Sequence, residues 1–305
     1  MDQIQKSLLA AVADLHEIPS GAYNIRANGK SIGRASSENI EIRKKEDADG
    51  IDIIIRAGTK KESVHMPVLL SESGITETVY NDFYIGEGAD VLIVAGCGIH
   101  NGGDKESRHD GIHTFHVGKN AHLRYVEKHY GQGDGNGANV MNPTTVIEIE
   151  EGGSMEMETA QIKGVDSTDR ITRVTLAKDA TVTIKENLMT HGTQWARTEF
   201  SVDMNGEGCS AHVISRSVAK DKSKQLFLSR VNGNAPCTGH TECDAIIMDE
   251  ASVSAVPEIT ANVPDASLIH EAAIGKIAGE QLMKLMSLGL SEKEAEEQIV
   301  NGFLK

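Results

Sequence analysis

A chain of 305 residues with a net charge of −15 at neutral pH carries no basic stripe for nucleic acid. Its longest clearly apolar run, VLIVAGCGI at 91–99, is far too short to span a bilayer. Thirty glycines and only 4% aromatic residues suit short strands and tight turns, and four cysteines in so long a chain are not a disulfide framework.

In chain order, residues 1–20 read as an N-terminal helix with Ile4, Leu8, Val12 and Leu15 on one side. This stretch contains acids and lacks a charged-then-apolar signal layout, so the expected compartment is the cytoplasm, with reduced thiols. Strands are predicted at NIEIRKKED (39–47), GIDIIIRAG (50–58) and HMPVLL (65–70). From there a phrase recurs: a polar turn, a small residue, then alternating apolar positions. Its small residues are Ala89, Ala121, Gly153, Ala180, Gly208, Ala251 and Ala266. A turn-plus-strand unit of this size points to stacked coils, each burying its neighbour's apolar face. The last two intervals, 43 and 15 residues, break the rhythm, and a β-sandwich or jelly roll also gives evenly spaced strands. The expected class is mainly β, with the solenoid core over 21–265 and a C-terminal helical segment over 266–305. Within that segment, AGEQLMKLMSLG (278–289) has helical spacing and ends at Gly289. Ser291 and Glu294 then form a capping-box pattern opening a second helix, with Ala295, Ile299 and Phe303 as its stripe.

Several stretches could carry chemistry. NAPCTGHTECDAIIMDE (234–250) packs Cys237, His240 and Cys243 into seven positions beside Glu242. Two thiolates and an imidazole suit zinc, iron or an iron–sulfur cluster. The spacing is no common zinc signature, and strand positions three apart face opposite ways, so a buried thiol near a turn explains the stretch equally. Cys97 lies between Gly96 and Gly98, which would leave it sterically open; that suits a reactive thiol and also a buried thiol at a tight corner. Cys209 falls in the repeat's turn and reads as structural. Histidines crowd 100–129 (His100, His109, His113, His116, His122, His129), but strand alternation would split them between two faces. His270 and Glu271 offer a ligand or acid–base pair, or a helix-entry carboxylate. No G-x-x-x-x-G-K-[ST] or G-x-S-x-G is present, so no intrinsic ATPase activity is expected. A polysaccharide-cleaving solenoid enzyme is disfavoured by the expected compartment and the few aromatics.

HTECDAIIMDEASVSAVPEI, LIHEAAIGKIAGEQLMKLMSLGLSEKEAEEQIVNGFL and the upstream GEGADVLIVAGCGIHNG strongly resemble the SufB/SufD family, scaffold components of SUF iron–sulfur cluster assembly. The resemblance runs from about residue 77 to the end, and Cys243 makes the chain look like a short SufB-like member. It implies a right-handed parallel β-helix capped by C-terminal helices that bind a SufC-like ABC ATPase. ATP would be bound by that partner alone. It also implies pairing of two subunits, as a homodimer or with a second SufB/SufD paralogue, and sulfur from a cysteine desulfurase or sulfur carrier. No nucleic acid or membrane partner is implied. By resemblance, Cys243 and Glu271 hold iron of a transient iron–sulfur cluster, with His270 beside them and His109 as a core histidine of the site. Cys97 matches the sulfur-accepting cysteine, while Cys237 and His240 match nothing in the pattern. The chain is short at its N-terminal side, and the family's tunnel residues do not align clearly around Glu127–Tyr130. The alternative function is a non-cluster-binding regulatory or stabilising partner of the ATPase.

Overall fold

Alternation of buried and exposed positions persists through strand after strand, as in Ser107–Val117 and Thr181–Thr190. A period of two with one apolar face requires a second layer to cover that face. The computed structural model describes residues 1–304, apart from the side chain of Ile162. Helix α1 (Gln3–Ala13) precedes β1 (Ala22–Ala27), β2 (Lys30–Ala35), β3 (Ile40–Lys44), β4 (Gly50–Ile55), β5 (Lys60–Leu70), β6 (Thr76–Ile85) and β7 (Asp90–His100). Then follow β8 (Ser107–Val117), β9 (His122–Gln132), β10 (Asn139–Met141), β11 (Thr144–Ile149), β12 (Ser154–Lys163), β13 (Ser167–Leu176) and β14 (Thr181–Thr190). The last strands are β15 (Trp195–Met204), β16 (Ser210–Ala219), β17 (Lys224–Gly233), β18 (Cys237–Ile247), β19 (Ser252–Ala261) and β20 (Ala266–Gly275). Helices α2 (Gly279–Ser287) and α3 (Glu292–Phe303) close the chain.

Most strands pair not with their sequence neighbour but with the strand two positions on, in parallel and in register. One sheet runs β2-β1-β5-β7-β9-β12-β14-β16-β18-β20 and the other β19-β17-β15-β13-β10-β8-β6-β4-β3, with β11 also between β8 and β13. This is a β-solenoid of about eight turns, not a sandwich of hairpins. Antiparallel pairs, β1–β2 and β3–β4, occur at the N-terminal end. The core is the lumen between the sheets, lined by Ile53, Phe83, Phe115, Leu123, Ile184, Val213 and their neighbours.

The registers explain the broken rhythm of the repeat. Ala180 aligns with Cys209, not Gly208, because Thr181 pairs with Ser210. Cys237 is the next corner, since it pairs with Ala266. Ala251 belongs to the other sheet, just before β19. The corner column is therefore Ala89, Ala121, Gly153, Ala180, Cys209, Cys237 and Ala266, and no interval departs far from thirty residues. A corner tolerates little bulk, and a thiol is among the smaller side chains that fit.

Helix α1 buries Leu8, Leu9 and Val12 against Ile25, Ala27 and Leu69, whereas Ile4 is at the surface. Strand structure continues through Gly275, so the C-terminal helices begin at Gly279. Helix α3 starts at the capping box: Ser291 Oγ accepts from Glu294 N, and Ser291 N donates to Glu294 Oε2 at 2.8 Å. Helix α2 buries nothing and leaves Met283 and Leu288 to solvent. At the C-terminal end of the solenoid β19 and β20 are edge strands, with Ile259, Ile269 and Ile274 exposed.

Candidate functional site

Strand β18 sets the geometry around the sequence motif. Cys237, Gly239, Thr241, Cys243 and Ala245 point into the lumen, and Thr238, His240, Glu242 and Asp244 point out. Cys243 is 1% exposed and belongs to the core. Burial, with help from the carboxylates of Glu186 and Asp244, pushes its thiol up to about 12. On β20, Glu271 is in register with Glu242 and shares its outer face, while Ala272 covers Cys243. The fold thus places Cys243 and Glu271 on opposite faces within one chain. His270 is on the inner side, its Nδ1 2.6 Å from Thr241 Oγ1, and its Nε2 is buried without a partner. Burial and the neighbouring His240 lower its pKa.

Cys97 lies on β7 at the other end of the lumen. The flanking glycines do not open it to solvent, as their sequence context suggested. They are a notch for α1: a Cβ on Gly96 would stand 2.9 Å from Val12 Cβ, and one on Gly98 3.1 Å from Leu8 Cβ. Cys97 faces inward and is 2% exposed. Burial, then Glu77 and Glu127, raises its thiol well above the ordinary range. It borders a cavity of ≈ 20 Å³ with Arg26, His109, His113, Glu127 and His129, room for about one water. His109 is therefore a neighbour of Cys97, not of Cys243, and its Nδ1 lies 3.0 Å from Glu77 Oε1. The crowded histidines divide by parity: His109, His113 and His129 are buried, while His116 and His122 face outward.

Between the two cysteines runs a polar column that the sequence reading did not identify. Glu127, Thr159, Glu186, Ser215 and Cys243 occupy successive rungs of one sheet, every one pointing inward. Four rungs of 4.8 Å put Glu127 and Cys243 about 19 Å apart. From the opposite sheet Arg170 reaches across, with Nη1 2.8 Å from Glu127 Oε2 and Nε 3.5 Å from Glu186 Oε1. Burial opposes ionisation of Glu127, but His129 and Arg170 outweigh it and hold its carboxyl well below the usual range. Glu186 goes the other way: burial raises its pKa despite Arg170 and the hydroxyls of Ser215 (2.8 Å) and Thr198 (3.0 Å). Thr159 Oγ1, Gln161 Oε1 and Thr172 Oγ1 are buried in this region without hydrogen-bond partners. The missed signal was parity: Glu127 is in phase with Leu123 and Tyr125, Arg170 with Val174, and Glu186 with Ile184.

The family model described as SUF system FeS cluster assembly, SufBD core domain, matches residues 74–303. The chain belongs to the SufBD family of iron–sulfur cluster assembly proteins. An iron–sulfur cluster assembly SufBD family protein of Methanocaldococcus jannaschii is 31% identical over 255 residues, covering 83% of this chain and 79% of the relative. One from Archaeoglobus fulgidus is 31% identical over 278 residues, covering 90% and 73%. A SufBD family protein of Pyrococcus horikoshii is 25% identical over 299 residues, covering 92% and 86%. Family membership ties the chain to SUF iron–sulfur assembly, and the solenoid agrees with the fold the resemblance implied. Among the described residues no helix is long and apolar enough to cross a membrane.

Proposed function

We propose that this SufBD protein is a scaffold subunit on which a transient iron–sulfur cluster is built at Cys243. The observation that carries the reading is the polar column: it starts beside Cys97, continues through Glu127, Thr159, Glu186 and Ser215, and ends on Cys243. Buried charge and unpartnered polar atoms are costly in a solenoid core, and a core built only for stability would be apolar. A route for sulfur accounts for them. In this reading the buried Cys97 becomes reactive only when a docked donor lifts α1 from Gly96 and Gly98, and its thiolate then attacks the outer sulfur of the donor persulfide. The donor leaves as its thiolate, and Cys97 carries the sulfane sulfur with no net redox change.

The exposed edges of β19 and β20 supply the second half of the proposal. Unpaired parallel edges with bared Ile259, Ile269 and Ile274 are a docking end for a second copy or a paralogue. Pairing there, with β20 displaced so that the inward Cys243 and His270 and the outward Glu271 come to share one face, would bring two such sets to one seam. The exposed apolar side chains of α2 suit an ABC ATPase partner, which would bind the ATP. One thiolate with imidazole and carboxylate per subunit holds a cluster less firmly than four thiolates, which suits release to clients.

The test is anaerobic reconstitution of the full chain with its ATPase partner, iron and sulfide. The expected result is a visible iron–sulfur absorption band that is lost in Cys243→Ala and strongly weakened in Glu271→Ala. Variants that both reconstitute like the wild type would remove the assignment and leave a regulatory partner without a cluster.

A further inference from the structure

We infer that His212, His240 and Glu242 form a binding site for one divalent first-row transition metal, on the outer face of the last coils. The site lies opposite the lumen and does not include Cys243. His212 on β16 and His240 on β18 are register partners, so their side chains leave the sheet next to each other. Their rings stack with centroids 5.1 Å apart and planes 4° from parallel. Glu242 follows His240 by two residues and projects from the same face. Its Oε1 lies 2.8 Å from His212 Nε2 and 3.5 Å from His240 Nδ1. One ligand atom from each of the three falls within 4.8 Å of the others. A fourth group borders them: Glu271 Oε2 is 3.6 Å from His240 Nε2, a shielded ring nitrogen without a hydrogen-bond partner.

The donor chemistry selects the ion. Two imidazoles and a carboxylate suit ferrous iron, cobalt, nickel or zinc, whereas magnesium and calcium prefer oxygen ligands alone. Bonds of about 2.1 Å to one ion need donor pairs within about 4.2 Å. The three ligand atoms already lie within 4.8 Å of one another on in-register strands, so closing on one ion asks only a small adjustment. A structural reading, a stacked pair held by a carboxylate, explains the 2.8 Å contact. It does not account for the approach of a second carboxylate, Glu271, to His240 Nε2 at 3.6 Å, beyond hydrogen-bond distance. Use of the site to hold ferrous iron for the cluster rests on the assembly reading; metal binding itself does not.

The experiment titrates tag-free full-length protein anaerobically with Co²⁺, followed by calorimetry and absorption. Wild type should bind one equivalent with weak visible d–d bands. His240→Ala and the conservative Glu242→Gln should each weaken that equivalent at least tenfold, while Cys243→Ser keeps it. These side chains are on the outer face, and circular dichroism of each variant checks that the solenoid is intact. Unchanged binding in His240→Ala and Glu242→Gln, or wild type that takes up no cobalt, would overturn the site. An intense near-ultraviolet thiolate-to-cobalt band that vanishes in Cys243→Ser, with no other equivalent bound, would also overturn it. Failure of cluster reconstitution with cobalt binding intact would instead count against the assembly reading alone.

Discussion

The Cys243 thiol should be chemically silent in the isolated chain. Burial holds it at about 12, against an ordinary 9. Three units mean about a thousandfold less thiolate at pH 7.5. A more basic thiolate attacks a disulfide faster: with a Brønsted slope of about 0.4–0.5, three units return roughly 15–30-fold. The net expectation is exchange about 30–60-fold slower than for an unfolded thiol, before access through Ala272 and the last coil is counted. Cys209, pushed up to about 11, is an internal comparator: two units leave it about tenfold slow. The assay is timed reaction of native and urea-unfolded protein with an aromatic disulfide, with each cysteine assigned by mass spectrometry. Cys243 should be slower than Cys209 and should recover its full rate in urea. If native Cys243 reacts at its unfolded rate, the inward placement and the shifted thiol are both wrong.

Three further outcomes follow from the packing. Arg170→Met leaves Glu127 without its 2.8 Å partner, and a broken buried pair costs about 3–5 kcal/mol, read as a lower urea midpoint. In wild type the depressed Glu127 carboxyl contributes stability that is present above its unfolded pKa and lost as pH falls through its folded one. In Arg170→Met the loss of that partner moves the carboxyl up, so the variant's deficit should shrink on acidification; a pH-independent deficit would refute the pairing. Gly96→Val drives a side chain into Val12 and should cost about 1–3 kcal/mol, with faster amide exchange across Gln3–Ala13. Ser291→Ala removes the α3 cap for about 1 kcal/mol and should raise exchange in Glu292–Phe303 while β18 stays protected.

Much of this architecture could be read from residues before any coordinates. Thr181-Val182-Thr183-Ile184 alternates because one face is buried, and Ser291 with Glu294 caps α3 as the pattern said. The small-residue corners were legible, but their last members were not. Cys209 reads as structural in the repeat's turn and Cys237 as a ligand or a buried thiol, and the corner position of both becomes visible only through the pairing of Thr181 with Ser210 and of Cys237 with Ala266. Spacing along one chain cannot reveal which of two sheets a phrase belongs to, and so Ala251 was misplaced in the series. The polar column escaped notice because Glu127, Arg170 and Glu186 are far apart in sequence and meet only across the lumen. Strand parity separates Cys243 from Glu271, whereas proximity in sequence between the two motifs says nothing about faces.

The position of the two thiols in the stack has an energetic meaning. In a solenoid each coil is held mainly by its neighbours, so the terminal coil has one interface where an inner coil has two. Strands β19 and β20 form that terminal coil, and their side chains are largely exposed. Local opening therefore costs least at this end. Cys243 lies one rung inside it, beneath Ala272, so loosening a single strand bares the thiol. Cys97 is placed otherwise. Strands flank it on both sides, at Val68 and His129, and α1 lies over its glycine neighbours. A partner that pulls on the C-terminal helices acts on the strand to which they connect directly, β20. The force then reaches the coil that shields Cys243, while most of the stack separates it from Cys97. The same order that makes Cys243 silent in the isolated chain places it, with Cys237 on the same strand, where load on β20 would expose a buried thiol before Cys209 or Cys97.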